Sequence, residues 1–280
     1  TSKPENWGDV NQPSSVPVAF GTPASALQEV IVIPFNDAEK AITILDQHKD
    51  EIACVLVDLL PHRVGLIPAS DGFIQALRQW TIENDSLLVF DEVITLRTEY
   101  GGAQDNYSVS PDLTAMGKMI GGGFPVGAIT GRHEVMDVMD PFAERVLFPH
   151  SGTFSANPIT MTAGLATMEL FDRSSVEKLN KLSVYARKKI TEAIKIAEVP
   201  ACVTGAGSLF RIHLKAEPPR NYRELIMSEN ETKMLKTLLD HLFDNGIMMI
   251  NTCTAALSTA MTEKEIDIFA GVMLDGLRKI

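Results

Sequence analysis

Two short apolar runs constrain this chain most. Residues 52–57 end on Asp58, and residues 87–90 end on Asp91 and Glu92. Neither run alternates with polar residues, so each reads as a strand buried on both faces. Helical spacing lies between them at 73–82. Another helical run precedes them at 37–49, with Ala41, Ile44, Leu45 and His48 on one side. Strand, helix, strand in this order calls for parallel pairing through a crossover. Residues 113–117 and 126–130 add two strand candidates around a glycine cluster. The expected fold class is α/β, with a mostly parallel sheet covered on both faces. Residues 1–30 are rich in Pro, Ser, Gly and Asn and read as loop.

The second half has a different rhythm. Asn157-Pro158 is a helix start, with Asn as cap and Pro at the first helical position. That helix is expected to reach Phe171, where Asp172 and Ser174-Ser175 break it. An amphipathic helix follows at 176–197. Then come a turn at Gly205 and Gly207, a strand at 209–214, a helix at 231–245 capped by Gly246, and a strand at 247–250. Thr262 and Glu265 have capping-box spacing and open the last helix. The expected organisation is a large-domain portion over 1–171 and a smaller α/β C-terminal domain over 172–280.

Composition removes several function classes. The formal charge is 25 − 36 = −11, which opposes nonspecific nucleic-acid binding. Cys54, Cys202 and Cys253 lie far apart, with no C-x-x-C pair. This fits a reducing, cytoplasmic setting and no metal site. No apolar run approaches the roughly 18 residues of a membrane span. Thr1 to Asp9 is polar, without a signal-peptide core, and no Met opens the chain. A processed or partial chain is the expectation.

Three features carry chemistry. Asp91 ends a buried strand, and ligands of open α/β sheets bind outside the carboxyl ends of strands. An Asp there also serves ordinary turn chemistry. Lys118 sits in Met-Gly-Lys-Met-Ile-Gly-Gly-Gly. Partial burial would favour its neutral, nucleophilic amine, and the glycines would let backbone approach a ligand. A nucleotide phosphate loop is excluded, because its glycines precede the Lys and Ser or Thr follows. The third is the loop 151–158, Ser-Gly-Thr-Phe-Ser-Ala-Asn-Pro. Its hydroxyls and amides precede a helix start and suit an anion, or simply cap the helix. Lysine, strand-end carboxylate and phosphate-type loop are together the parts of a pyridoxal 5'-phosphate (PLP) site. There a carboxylate holds the ring nitrogen protonated, so that the ring accepts electrons.

The segments Val89-Phe90-Asp91-Glu92-Val93 and Met116-Gly117-Lys118-Met119-Ile120-Gly121-Gly122-Gly123 resemble the signature of class III, fold-type I PLP-dependent aminotransferases. Gly101-Gly102-Ala103-Gln104 and His150 to Pro158 are similar to the subgroup of glutamate-1-semialdehyde aminomutase and β-amino-acid transaminases. The resemblance runs through essentially the whole chain. It implies Lys118 as Schiff-base and proton-shuttling residue, Asp91 as partner of the pyridine nitrogen, and Val93 against one ring face. It implies Thr153 as ligand of the phosphate bound by the neighbouring subunit of a homodimer. Members of the family carry about 150 further residues ahead of this region, against ordinary domain sizes. That part supplies the small phosphate loop and the stacked aromatic ring; neither is recognisable here, and nothing supports Tyr100 or Tyr107 for stacking. Asp58 to Arg63 replaces the usual Glu-Pro, and Asn251 to Ala256 lacks an expected acid.

The expected activity is amino-group transfer between an amino acid or amine and a keto acid or aldehyde. A 1,2-aminomutase uses the same parts. A non-catalytic PLP-binding homologue or fragment is the reading from another class. Arg97 is read as a surface residue or a contact for a substrate carboxylate, Arg220 and Arg223 as solvated, and His62 and His150 as supporting groups. The methionines read as core filler. Alone, the 280 residues are expected to fold poorly, because a missing flank leaves an apolar sheet face open.

Overall fold

The computed structural model describes residues 3–280. A hairpin of β1 (Gly8–Asp9) and β2 (Gln12–Pro13) and a short helix α1 (Ala24–Gln28) interrupt the expected opening loop. Five residues are too few to show helical periodicity. Thr1 and Ser2, part of that expected loop, lie outside the described residues. Arg223 ties the hairpin down, donating through Nη2 to the carbonyls of Trp7, Gly8 and Asp9 at 3.0, 2.8 and 3.2 Å. It is therefore a clamp rather than a solvated side chain. Arg220 does lie at the surface, paired with Glu224.

Helix α2 (Ala38–Gln47) starts where the Asp37 carboxylate accepts the Lys40 amide, and it buries Ala41, Ile44 and Leu45. The main sheet follows: β3 (Cys54–Asp58), then helix α3 (Asp71–Glu83), β4 (Leu87–Asp91), β5 (Leu113–Gly117) and β6 (Gly127–Gly131). Strand order is β3-β4-β5-β6. The first three are parallel and β6 returns antiparallel. Ser70 caps α3 by accepting the Phe73 amide. Phe73, Ile74, Leu77 and Trp80 then pack on Val55, Val57, Leu88 and Phe90.

The opposite face differs from a doubly covered sheet and is the open apolar face also expected from the sequence. It carries Cys54 and Leu56 of β3, Leu87 and Val89 of β4, Leu113 and Ala115 of β5, and Ile129 of β6. Leu56 is 63% exposed and Ile129 59%. Leu87, Val89, Leu113 and Ala115 are only half-buried. The residue types were those of a strand buried twice, but a pleat sends alternate side chains to opposite faces. Only one face finds a partner within the chain.

A short helix α4 (His133–Met136) leads to α5 (Pro158–Leu170), which opens as expected: Asn157 Oδ1 accepts the amides of Ile159 and Thr160 at 3.0 and 3.3 Å. Ile159, Met161, Leu165, Met168 and Leu170 of α5 stand exposed. A helix apolar on all sides is suited to burial on all sides.

Helix α6 (Arg173–Ala197) begins earlier than expected. Asp172 accepts the Ser175 amide at 2.8 Å, so Ser174 and Ser175 form its first turn. Strands β7 (Cys202–Thr204), β8 (Leu209–His213) and β9 (Thr254–Ala256) make an antiparallel sheet. It is backed by α6, α7 (Glu229–Asp244) and α8 (Glu263–Leu277). Residues 247–250 are not a strand. Ile247 and Met249 pack inward while Met248 and Ile250 face outward, which imitates strand alternation. Cys253, buried at φ +55°, turns the chain, and its carbonyl accepts the Ile212 amide. Pairing with β8 therefore begins only at Thr254. Thr262 and Glu265 form the expected capping box.

One large apolar cluster lies within 171–280 and another within 33–109. Leu60, Leu66 and Leu209 join them, helped by Thr204 donating to the Gly65 carbonyl at 2.6 Å. No helix among the described residues is long and apolar enough to cross a membrane. The three cysteines are free.

Asp112 anchors the sheet at the end away from Asp91. It is 2% exposed. It accepts Arg78 Nη1 at 2.6 Å, the Leu88 amide at 2.8 Å and Arg132 Nη1 at 2.9 Å. Burial works against its charge, but Arg78, the Leu88 amide and Arg132 outweigh it and hold the carboxyl at about 2. A lowered carboxyl stabilises the fold above its ordinary range and loses that contribution as pH falls toward the folded value. Asp112→Asn is expected to cost about 2–3 kcal/mol at neutral pH in urea unfolding. The gap from the parent should close as pH falls from about 4 to about 2. A constant gap across that window would contradict this role.

Candidate active site

The register of the sheet sets the site. Asp58 pairs with Asp91 across β3 and β4, and Asp91 with Ala115 across β4 and β5. Paired residues of neighbouring strands point to the same side. Both carboxylates and the route to Lys118 thus share the open face, at the carboxyl ends of the parallel strands. The Asp91 Oδ1 accepts the Val93 amide at 3.0 Å. The Val93 side chain reaches the backbone just before Lys118, since a Cβ built on Gly117 would lie 3.5 Å from Val93 Cγ1. Asp91, Val93 and Lys118 are therefore brought together.

Lys118 leaves β5 at φ +50°. For a residue with a side chain that conformation costs about 1 kcal/mol, and such strain gathers at functional positions. The turn that holds it, Lys118–Gly121, is packed against α5. A Cβ at Gly122 would overlap the Ala163 carbonyl, and one at Gly164 the Ile120 carbonyl. Gly122 thus serves contact between the turn and helix α5, while a Cβ at Gly121 would first meet Val126 Cγ1 at 2.7 Å. Lys118 itself is exposed. The partial burial expected for it is not supplied within the chain.

Thr153 lies in the turn ahead of α5 and is exposed. No hydrogen bond joins it to Asp91 or Lys118 among the described residues. His150 sits in the same turn, with Nε2 3.5 Å from Ser155 Oγ.

Two carboxylates matter more than their sequence context suggested. Glu92 is fully buried. It accepts Thr95 Oγ1 at 2.6 Å and the amides of Ala103 and Gln104 at 3.0 and 2.9 Å. This carboxylate pins the loop 101–104 against the strand end. Gly102 is required there, because a Cβ at its φ of +91° would meet Glu92 Oε1 at 2.7 Å. The available signal was an acid beside Asp91 followed ten residues on by Gly-Ala-Gln. Asp58, read only as a strand terminator, has its carboxyl pushed up to about 6. Burial is the main cause. The Leu60 amide opposes it, Asp91 and Glu92 add to it, and the Lys118 charge opposes it again.

The remaining candidates have other duties. Arg97 donates Nε to Ser208 Oγ at 2.8 Å and Nη2 to the Leu257 carbonyl, bracing the C-terminal sheet. It is therefore held in place rather than free at the surface. His62 Nε2 lies 3.3 Å from Thr252 Oγ1, and burial lowers its basicity, helped by Arg211, Arg63 and Lys118. The Tyr107 hydroxyl donates to the Ala69 carbonyl at 2.8 Å, and the Arg173 guanidinium lies 4.1 Å from the Tyr100 ring centre. Met273 is core as expected, whereas Met248 is 84% exposed. A cleft of about 460 Å³ between the starts of α6 and α8 is lined by Lys178, Lys181, Met261 and Thr262, and by none of the predicted site residues. Among the described residues no three His, Cys, Asp or Glu gather to hold a metal.

The family model for class III aminotransferases matches residues 17–268. The chain belongs to the class III aminotransferases. Glutamate-1-semialdehyde 2,1-aminomutase of Methanothrix thermoacetophila is 36% identical over 217 residues, 77% of this chain and 49% of the relative. The crystal structure of an omega-transaminase from Sphaerobacter thermophilus superposes with a TM-score of 0.93 at 42% identity, covering 95% of this chain and 61% of that one. A transaminase with PLP bound superposes with a TM-score of 0.86 at 34% identity, over 93% and 60% of the two chains. This class III chain spans about half the length of the curated relatives it matches. Its α/β architecture is that of fold-type I PLP enzymes.

Close packing under the Lys118 turn is testable. Gly164→Ala is expected to cost about 1–3 kcal/mol in thermal unfolding through its clash with the turn. Gly72→Ala, at a helix position with nothing within 4 Å, should be neutral or stabilising. Equal behaviour of the two variants would show that the turn does not depend on this contact.

Proposed function

We propose that this chain is the PLP-binding and C-terminal portion of a class III aminotransferase that moves amino groups between an amino acid or amine and a keto acid or aldehyde. The observation that carries the reading is the placement of Asp91, Val93 and the Lys118 turn on one open face at the carboxyl ends of parallel strands. The donor set fits PLP. It offers an accessible amine for a covalent Schiff-base link, a carboxylate for a cationic ring nitrogen, and an apolar branched side chain beside the lysine for a ring face.

When bound, PLP supplies an electron sink for the carbanion formed at the substrate carbon. Lys118 holds the cofactor and, once released, takes a proton from the substrate carbon and returns it as general base and then acid. Asp91, oriented by the Val93 amide, keeps the ring nitrogen protonated. Val93 and Leu56, Val89 and Ala115 of the open face offer an apolar bed that limits water. Thr153 serves the phosphate of a neighbouring subunit in a homodimer. Its exposure, with no hydrogen bond to Asp91 or Lys118 among the described residues, supports a role outside its own site. We divide the chain into a large-domain portion, 1–171, and a small domain, 172–280. The support is the two separate apolar clusters and the Asp172 cap between α5 and α6.

The second reading is glutamate-1-semialdehyde 2,1-aminomutase activity, favoured by aminomutase relatives 36% identical to this chain. The two readings separate on one assay. A transaminase converts the bound cofactor to its amine form with a β-amino acid and then needs a keto acceptor. An aminomutase isomerises a 1,2-aminoaldehyde with no acceptor. The first test is the visible spectrum after incubation with PLP, then borohydride reduction and mass analysis. A yellow band and a single labelled peptide containing Lys118, both lost in Lys118→Ala, are expected. Label scattered over surface lysines would refute the site.

A further inference from the structure

Asp58 and Asp91 are the last residues of neighbouring parallel strands and face each other in register. Strand spacing is about 4.8 Å, so the two side chains leave the same face side by side. Their settings match. Asp58 Oδ1 accepts the Leu60 amide at 2.9 Å, and Asp91 Oδ1 accepts the Val93 amide at 3.0 Å, each two residues on. The second oxygen of each has no hydrogen bond among the described residues, and neither is sealed from solvent. Both carboxyls are thus held by one oxygen and present the other.

We propose that Asp58 is a positioning residue of this site: with Asp91 it forms a coupled carboxylate pair that sets how firmly the bound cofactor's ring nitrogen keeps its proton. The inference rests on the PLP reading and deepens it. The Asp91 charge, on the facing position of the next strand, acts on the Asp58 carboxyl. Asp91, Glu92 and Lys118 are the charged groups that act on Asp58 from β4 and the turn after β5, with burial as the larger influence. Glu92 is occupied with the loop 101–104, which leaves Asp91 as the partner facing Asp58. At low pH Asp58 is neutral, and Asp91 alone faces the ring nitrogen. Once Asp58 ionises, a second negative charge stands behind the first and strengthens the hold on that proton.

Two measurements test this. Carboxyl-carbon NMR titration of the chain without cofactor should find Asp58 titrating well above the ordinary range. Asp91→Asn should lower its proton affinity about tenfold, the size expected for one nearby charge partly screened by solvent. An Asp58 titration unmoved by Asp91→Asn would overturn the pair. In the PLP-bound chain, Asp58→Asn retains the bond to the Leu60 amide and mimics the neutral acid. Its visible spectrum should match the parent at about pH 5, then lose the proton-dependent band at about tenfold lower proton affinity as pH rises. Asp58→Glu should recover part of the difference. Superposable titrations of the parent and Asp58→Asn would also overturn the proposal. Failure of the parent chain to take up PLP would instead overturn the functional reading, with the NMR titration still deciding whether the pair exists.

Discussion

The arrangement of this protein depends on the buried carboxylate of Asp112. One side chain gathers Arg78 from α3, the Leu88 amide from β4 and Arg132 from the end of β6. Its own backbone amide donates to the Leu88 carbonyl at 2.8 Å. Asp112 therefore fixes β5 against β4 just where the two strands begin. A one-residue slip would send every β5 side chain to the opposite face. With the register held, Ala115 falls opposite Asp91, and the turn bearing Lys118 emerges beyond the strand ends. The anchor and the candidate chemistry sit at opposite ends of the same strands, so stability and function draw on different residues.

The turn itself is shaped by contact. Gly122 and Gly164 allow the Lys118 turn and α5 to meet backbone to backbone. Lys118 holds an unfavourable backbone angle within this turn. Glu92 works from the far side of β4, fastening the loop 101–104 with amide donors. Asp91 and Glu92, adjacent in sequence, thus point in opposite directions. One faces the open sheet and the other is sealed in the interior. Pleating alone separates a half-buried candidate carboxylate from a structural one.

Much of this was legible in the sequence. Helix caps at Asn157 and Thr262 announce themselves by residue type, because they satisfy amides local to the cap. Strand ends at Asp58 and Asp91 were visible as abrupt polarity changes. Other features were hidden for physical reasons. Residues 247–250 have strand-like alternation, yet the left-handed turn at Cys253 delays pairing until Thr254. The joint between the two apolar clusters uses Arg97, Ser208, Thr204 and Gly65, residues distant in sequence and without a pattern that would pair them. Asp58 looked like a terminator because its importance comes from a neighbour 33 positions away.

By itself the sequence determined the main helices, the strands of the main sheet and the chemical parts of the candidate site: a lysine among glycines, a strand-end acid and a hydroxyl-rich turn. These follow from interactions a few residues long. Tertiary structure alone decided which acid faces the open sheet and which is buried. It decided that Gly122 meets helix α5 and that Gly102 meets Glu92. Those outcomes depend on register and packing between segments far apart in the chain, and residue spacing does not encode distance between strands.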